Sequence, residues 1–351
     1  GSLEERPGHG SGSSKLFGRE EASRSPAAII RILGELCDLA QAPYVKVATV
    51  DNGFFANWLQ VLDARLFAAE DAIVEPDWVL TGKEREFNYG EAGDDLFGAI
   101  FQEPEQEGCK SGQFFVATHR YNLLLVNVFR GNFLRGERAL NRRKLYAAAA
   151  QRLLRPRPEV LRLRDEALAQ VTRSTGAPLI GVHKRVDNPG TARMQLTQVM
   201  PSTEAFVRAV QLLAERRSPG RGAQEAVVVL ATDDLGALQA FRAAFGDRLV
   251  VRPGVERCTG GVNSQNLPLE VHGQPGKRLR PSDAQDCMVD MLLLAACDAF
   301  VHADSNVTIA AGIMNPFAEA VHVLDLVPEA ALSGEASGEA WPGYRRCRLP
   351  V

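Results

Sequence analysis

Residues 177–185 read Ala-Pro-Leu-Ile-Gly-Val-His-Lys-Arg, and residues 226–232 read Ala-Val-Val-Val-Leu-Ala-Thr. Both stretches are apolar at consecutive positions rather than alternate ones, which is the pattern of a strand covered on both faces. Between them, Ser202 follows Pro201 and can cap a helix over STEAFVRAVQLLAERR, whose apolar residues recur at helical spacing. The alternation continues. LGALQAFRAAF reads as a helix, Arg248–Arg252 as a third strand, DAQDCMVDMLLLAAC as a helix and Ala299–His302 as a strand. A short helix over Asn306–Ile313 and a last strand, Ala320–Leu324, complete the series. Strands alternating with helices predict a parallel sheet with helices on both faces, a Rossmann-like domain.

The first half is similar in kind. Tyr44–Val50 predicts a strand, Asp51–Asn57 (DNGFFAN) a glycine-containing turn, 57–69 a helix and Asp71–Glu75 a short strand. FFVATHRYN and LLLVNVFR belong to later elements that the pattern does not assign to strand or helix. Pro158 suits the first turn of a helix running to about Arg173, after the break at RPRP. Gly1-Ser2 reads as a cloning remnant, and residues 1–25 as an unstructured leader or stem rich in Gly, Ser, Glu and Arg. The expected division is a first α/β domain over 26–165, a second over 166–325 and a tail over 326–351. The fold class expected is α/β, with two Rossmann-like domains facing a cleft, and such clefts bind small ligands.

Composition narrows the function. The chain has 351 residues, 40 Lys+Arg against 43 Asp+Glu, a net charge of −3 and 45% hydrophobic residues. That is globular composition of a length suited to two domains. The near-neutral balance argues against a dedicated nucleic-acid binder, and no apolar run approaches the roughly 20 residues of a membrane-spanning helix. Cys37, Cys109, Cys258, Cys287, Cys297 and Cys347 form no C-x-x-C pair, which disfavours a zinc cluster; disulfides and buried free thiols both stay open.

Ligands of open parallel sheets bind at the carboxyl ends of the strands. The first strand of the second half ends in His183-Lys184-Arg185, the second in Thr232-Asp233-Asp234, and the strand near residue 300 in His302-Ala303-Asp304-Ser305-Asn306 ahead of a helix. A guanidinium bonds two phosphate oxygens at once and stays charged. Aspartates suit nucleoside hydroxyls and ring N–H groups, and Ser, Asn and a helix N-terminus suit phosphate. Together these predict a nucleotide-diphosphate site without a P-loop or G-x-G-x-x-G loop. No D-x-D triplet is present to hold a metal, so charge neutralisation falls to side chains and no metal is expected.

With those residues in view, the second half resembles the fucosyltransferase superfamily that includes α1,6-fucosyltransferases, nodulation fucosyltransferases and protein O-fucosyltransferases. The likeness rests on Ile180-Gly181-Val182-His183-Lys184-Arg185, on Leu230-Ala231-Thr232-Asp233-Asp234, and on Asp290 followed by Asp298-Ala-Phe-Val-His-Ala-Asp-Ser305-Asn306. It covers roughly 177–316. Gly53-Phe54-Phe55-Ala56-Asn57 is similar to the family's glycine-rich turn facing the donor. The resemblance implies a glycosyltransferase-B fold and inverting, metal-independent transfer of fucose from GDP-fucose to a glycan or protein hydroxyl. Arg185 would bind the β-phosphate, His183 the diphosphate or ribose, Asp233 and Asp290 the guanosine, with Asp234 beside them, and Ser305-Asn306 the phosphates. Gly53, Phe54 and Asn57 would face the donor. It further implies a secretory-pathway enzyme of the Golgi lumen, membrane-bound only through an N-terminal anchor, or alternatively a bacterial cytoplasmic enzyme.

The sequence departs from the pattern in places. Val186 replaces a second Arg, and the family's acidic base has no clear counterpart; Asp187 is the nearest carboxylate, with Asp51, Glu91 and Asp94 as others. Another nucleotide sugar, or a non-catalytic glycan- or nucleotide-binding role, stays open. Residues 130–164 hold ten Arg and one Lys, either a solvated face or a surface for an acidic partner. The sequon Asn306-Val307-Thr308 falls at the expected nucleotide edge and is predicted to be unmodified. Trp58 and Trp78 are expected in the core, and the loop from Cys258 to Pro281 is either acceptor-facing or disordered.

Overall fold

A computed structural model describes residues 37, 39–48, 53–81, 89–104, 113–116, 133–136, 138–171, 177–185, 201–255, 257, 280–303 and 305–328. The leader, the tail beyond residue 328, Asp51, Asp187, Asp304, Trp341, LLLVNVFR and most of the loop after Cys258 lie outside them. The first half contributes β1 (Tyr44–Ala48), α1 (Phe54–Phe67), β2 (Ile73–Asp77), α2 (Leu96–Ile100), β3 (Gln113–Val116), α3 (Ala139–Leu153) and α4 (Pro158–Ala169). Its sheet has the order β2-β1-β3, all parallel. The second half contributes β4 (Leu179–Lys184), α5 (Thr203–Arg217), β5 (Val227–Thr232), α6 (Leu235–Phe245), β6 (Leu249–Val250), α7 (Pro281–Ala295), β7 (Ala299–His302), α8 (Asn306–Met314), β8 (Glu319–His322) and α9 (Val323–Leu326).

The second sheet is parallel throughout, with the order β6-β5-β4-β7-β8. The chain starts in the middle, winds outward through β5 and β6, then returns to build β7 and β8 on the other side. The point of reversal lies between β4 and β7, where a doubly wound sheet opens a crevice at its carboxyl edge. Successive side chains of a strand point to opposite faces. Ile180 and Val182 accordingly pack with Phe206, Leu213 and Phe241 of α5 and α6. Leu179, Val227, Val229 and Phe300 pack with Met288, Leu292 and Ile309 of α7 and α8. This second cluster continues without a break into Val45, Trp58, Trp78, Phe101 and Tyr146 of the first half, so one apolar mass joins the two sheets. Trp58 and Trp78 are fully buried in it, as expected.

Several element ends differ from the sequence expectation, each for a local reason. The helix expected from Asn57 to Ala69 begins at Phe54 and ends at Phe67. It stops because the Arg65 guanidinium turns back to the carbonyls of Ala69 (2.6 Å), Glu70 (3.0 Å) and Ala72 (2.6 Å). That turn moves the following strand to Ile73–Asp77. The last strand ends at His322 rather than Leu324, since the His322 Nδ1 accepts the Leu324 N–H at 3.2 Å and starts α9. The helix after Pro158 closes at Ala169, short of Arg173, and the strand expected over Arg248–Arg252 is reduced to Leu249–Val250.

Gly181 sets how closely α7 approaches the sheet. A Cβ there would lie 3.0 Å from Leu294 Cδ2, 3.1 Å from Cys297 Sγ and 3.2 Å from Phe300 Cβ. Gly181→Val should therefore overpack the centre of the sheet and destabilise the protein by about 1–3 kcal/mol or more. Urea unfolding followed by circular dichroism measures this, and unchanged stability would show that α7 can move aside.

Candidate functional site

The carboxyl edge of the second sheet gathers the charged and polar groups named from the sequence. His183 and Arg185 end β4, Asp233 and Asp234 follow β5, and Ser305 follows β7. Because helices return antiparallel to the strands they follow, α5, α6 and α8 all begin at this edge. Their unsatisfied N–H groups and dipoles favour negative charge there.

Ser305 caps α8: its Oγ accepts the Thr308 N–H at 3.2 Å. The same oxygen lies 3.2 Å from His183 Nδ1 and 3.2 Å from Thr308 Oγ1, so strands β4 and β7 are tied across the point of reversal. The Thr308 hydroxyl donates to the Ser305 carbonyl at 2.9 Å and is wholly buried. The sequon is thus built into a helix cap, and Asn306 is the first residue of α8. Burial, then the Arg185 charge, push the His183 ring down to about 3. It is therefore a neutral imidazole beside a guanidinium.

The Arg185 side chain is 38% exposed, its Nε 3.9 Å from Asp233 Oδ2. The side chain thus reaches solvent at this edge. Asp234 caps α6, its Oδ1 accepting from Gly236 N–H (2.8 Å) and Ala237 N–H (3.2 Å). Asp290 lies one layer back. Arg252 Nη1 bonds its Oδ1 at 3.2 Å and the Asp286 carbonyl at 2.9 Å, while Nη2 bonds the Asp286 carboxylate. Burial still raises the Asp290 carboxyl to about 6, against the pull of Arg252. Asp298, in the same motif, serves the opposite edge, where its Oδ2 accepts the Leu179 N–H at 2.8 Å.

In the first half, Gly53 is exposed at the start of α1 with open space around its missing Cβ. Phe54 is buried among Phe55, Trp78, Tyr89 and Phe101, with ring centroids 5.0–6.5 Å away. Asn57 is also fully buried. Phe54 thus serves the core in this arrangement. Of the carboxylates considered as a base, Asp94 accepts the Glu91 N–H at 2.7 Å and shapes a turn, and Glu91 is exposed.

Three residues join the site that the sequence did not single out. Tyr89, buried against Phe54, hydrogen-bonds Cys287 on α7, so the first half meets α7 through it. Burial and neighbouring Asp290 push the Cys287 thiol up to about 12. Arg252 is the partner of two aspartates one helical turn apart, a spacing visible in DAQDCMVD without showing what fills it. Cys37, Cys287 and Cys297 are free thiols, and among the described residues no cluster of His, Cys, Asp and Glu forms a metal-holding group. No helix among them is long and apolar enough to cross a membrane.

No protein-family model matches the chain, and no curated protein matches its sequence. In structure the chain is similar to fucosyltransferases. The NodZ α-1,6-fucosyltransferase co-crystallised with GDP is 15% identical at a TM-score of 0.46, covering 79% of this chain and 93% of that one. NodZ from Bradyrhizobium appears among the similar structures at 16% identity and a TM-score of 0.43, over 79% of this chain and 94% of that one. An Arabidopsis thaliana FUT1 variant in complex with GDP is 11% identical at a TM-score of 0.41, over 86% of this chain and 77% of that one. POFUT1 in its apo form is 10% identical at a TM-score of 0.37, over 81% and 99%.

The buried histidines give the fold a defined acid response. Burial depresses His183 and His302 to about 3 and His322 to about 2. Below about 6.5 the unfolded chain takes up protons that these rings refuse, so their contribution falls as pH drops from about 6.5 toward 3. The raised carboxyls of Asp63 (about 7) and Asp290 (about 6) act in the opposite sense. A single-residue comparison isolates one ring: the stability gap between wild type and His302→Asn should narrow from pH 7 to pH 4 by up to about 1.4 kcal/mol per pH unit. A gap independent of pH would mean that His302 protonates within the fold.

Proposed function

We propose that the chain is an inverting, metal-independent glycosyltransferase of the glycosyltransferase-B type, transferring fucose from GDP-fucose to a hydroxyl of a glycan or protein. In this reading residues 166–325 form the donor side, 26–165 the acceptor side, and the crevice lies between them. The observation that carries it is the carboxyl edge at the point of reversal between β4 and β7. There an accessible Arg185 fork stands beside a neutral His183 and the Ser305-capped N-terminus of α8. The motifs shared with the fucosyltransferase superfamily sit on this edge, which supports a GDP-sugar as the donor.

The chemistry follows from charge. The bond between the sugar's anomeric carbon and the β-phosphate oxygen breaks, and its electron pair stays on the diphosphate. The acceptor oxygen bonds the same carbon from the opposite face and gives its proton to a base. A guanidinium fixed at the leaving diphosphate binds the transition state more strongly than the ground state, because negative charge grows there as the bond opens. A neutral His183 donates or accepts one hydrogen bond without competing for the proton. Asp187, next but one to Arg185 in the chain, is our candidate base, and Asp233, Asp234 and Asp290 line the nucleoside side.

Thermal shift with GDP, UDP, ADP and no nucleotide, with and without EDTA, tests this reading. GDP alone should stabilise the protein, by about 2.7 kcal/mol at a hundredfold excess over Kd, with or without EDTA. Stabilisation by UDP alone would point to another nucleotide sugar, and none by any nucleotide to a binding module for glycans. Arg185→Ala should lower kcat for GDP-fucose by about a hundredfold or more while the fold is kept; an active variant would remove Arg185 from its role.

A further inference from the structure

Lys184 is 1% exposed, an ammonium inside the sheet at the end of an apolar strand. It lies on the Ile180 and Val182 face of β4, under α5 and α6, while His183 points the other way toward Ser305. Its Nζ donates to the backbone carbonyl of Arg185 at 2.7 Å and stands 3.9 Å from Asp234 Oδ2. The charge also reaches Glu204 in the first turn of α5. Burying an ammonium costs several kcal/mol of desolvation, and replacing a buried charged group by a well-packed apolar one is often neutral or stabilising. An unbranched apolar side chain would fill the same space more cheaply.

We propose that Lys184 is a positioning residue: it fixes the carbonyl of Arg185, and with it the direction in which the Arg185 fork leaves the strand, at the expense of stability. This rests on the reading of the edge as a GDP-sugar site. Calorimetric titration with GDP and urea unfolding, on wild type, Lys184→Met, Arg185→Ala and the double variant, test it. Lys184→Met should be as stable as wild type or more so, with Kd for GDP raised roughly ten- to a hundredfold. In the Arg185→Ala background the same substitution should change Kd by less than about twofold, because Lys184 acts through Arg185. An unchanged Kd in Lys184→Met overturns the proposal, as does equal weakening in both backgrounds. A Lys184→Met protein that is destabilised or does not fold makes the ammonium a structural group and also overturns it. If wild type binds no GDP, the reading of the site falls first; if it binds GDP equally with and without Lys184, only the positioning role falls.

Discussion

The strand β4 is bonded on both edges and covered on both faces, and everything else in the second half is arranged around that condition. Its neighbours β5 and β7 take its backbone groups, while α5 and α6 cover one face and α7 and α8 the other. A strand so enclosed can present chemistry only at its end. The polar groups that accompany it collect there for the same reason: each would cost free energy anywhere deeper. The winding of the chain then decides which other ends share the crevice, and it selects β7 with Ser305 rather than the outer strands.

The two halves meet through a mixed seam rather than a purely apolar one. Arg143 of α3 reaches the Ala318 carbonyl of the second half at 2.9 Å, while inside the first half Tyr146 of the same helix donates to Asp63 of α1 at 2.7 Å. Gln285 of α7 donates to the Ala99 carbonyl at 2.9 Å, and α4 lies against α7. Directional bonds set one register between the halves where apolar packing alone would allow sliding. Tyr89 belongs to the same seam, through its bond to Cys287 of α7.

Much of the second half was legible because uninterrupted apolar runs, separated by amphipathic helices, admit few arrangements besides a covered parallel sheet. His183, Arg185, Asp234 and Ser305 were legible as strand ends and caps. What periodicity does not encode is a side chain that bonds the backbone: Arg65 shifted β2, and His322 shortened β8. Phe54 was expected to face the donor by likeness to the family's turn; its packing with Trp78, Tyr89 and Phe101 joins residues distant in sequence, which no local pattern shows. A lysine closing an apolar strand reads as solvent-facing, and only the helices above it show that Lys184 is inside. The acidic pair Asp286 and Asp290 was visible, but its partner Arg252 lies across a long loop.

The missing side chain at Gly181 reaches further than its own contact. It lets α7 rest directly on β4, and α7 carries Asp286, Cys287 and Asp290 on a rigid rod whose depth is set at that one contact. Arg252 and Tyr89 both take their places from those residues. The depth at which these residues stand is therefore set from below, at mid-sheet, by a glycine away from the carboxyl edge. Variation there would retune the depth of the crevice while leaving every residue of its lining in place.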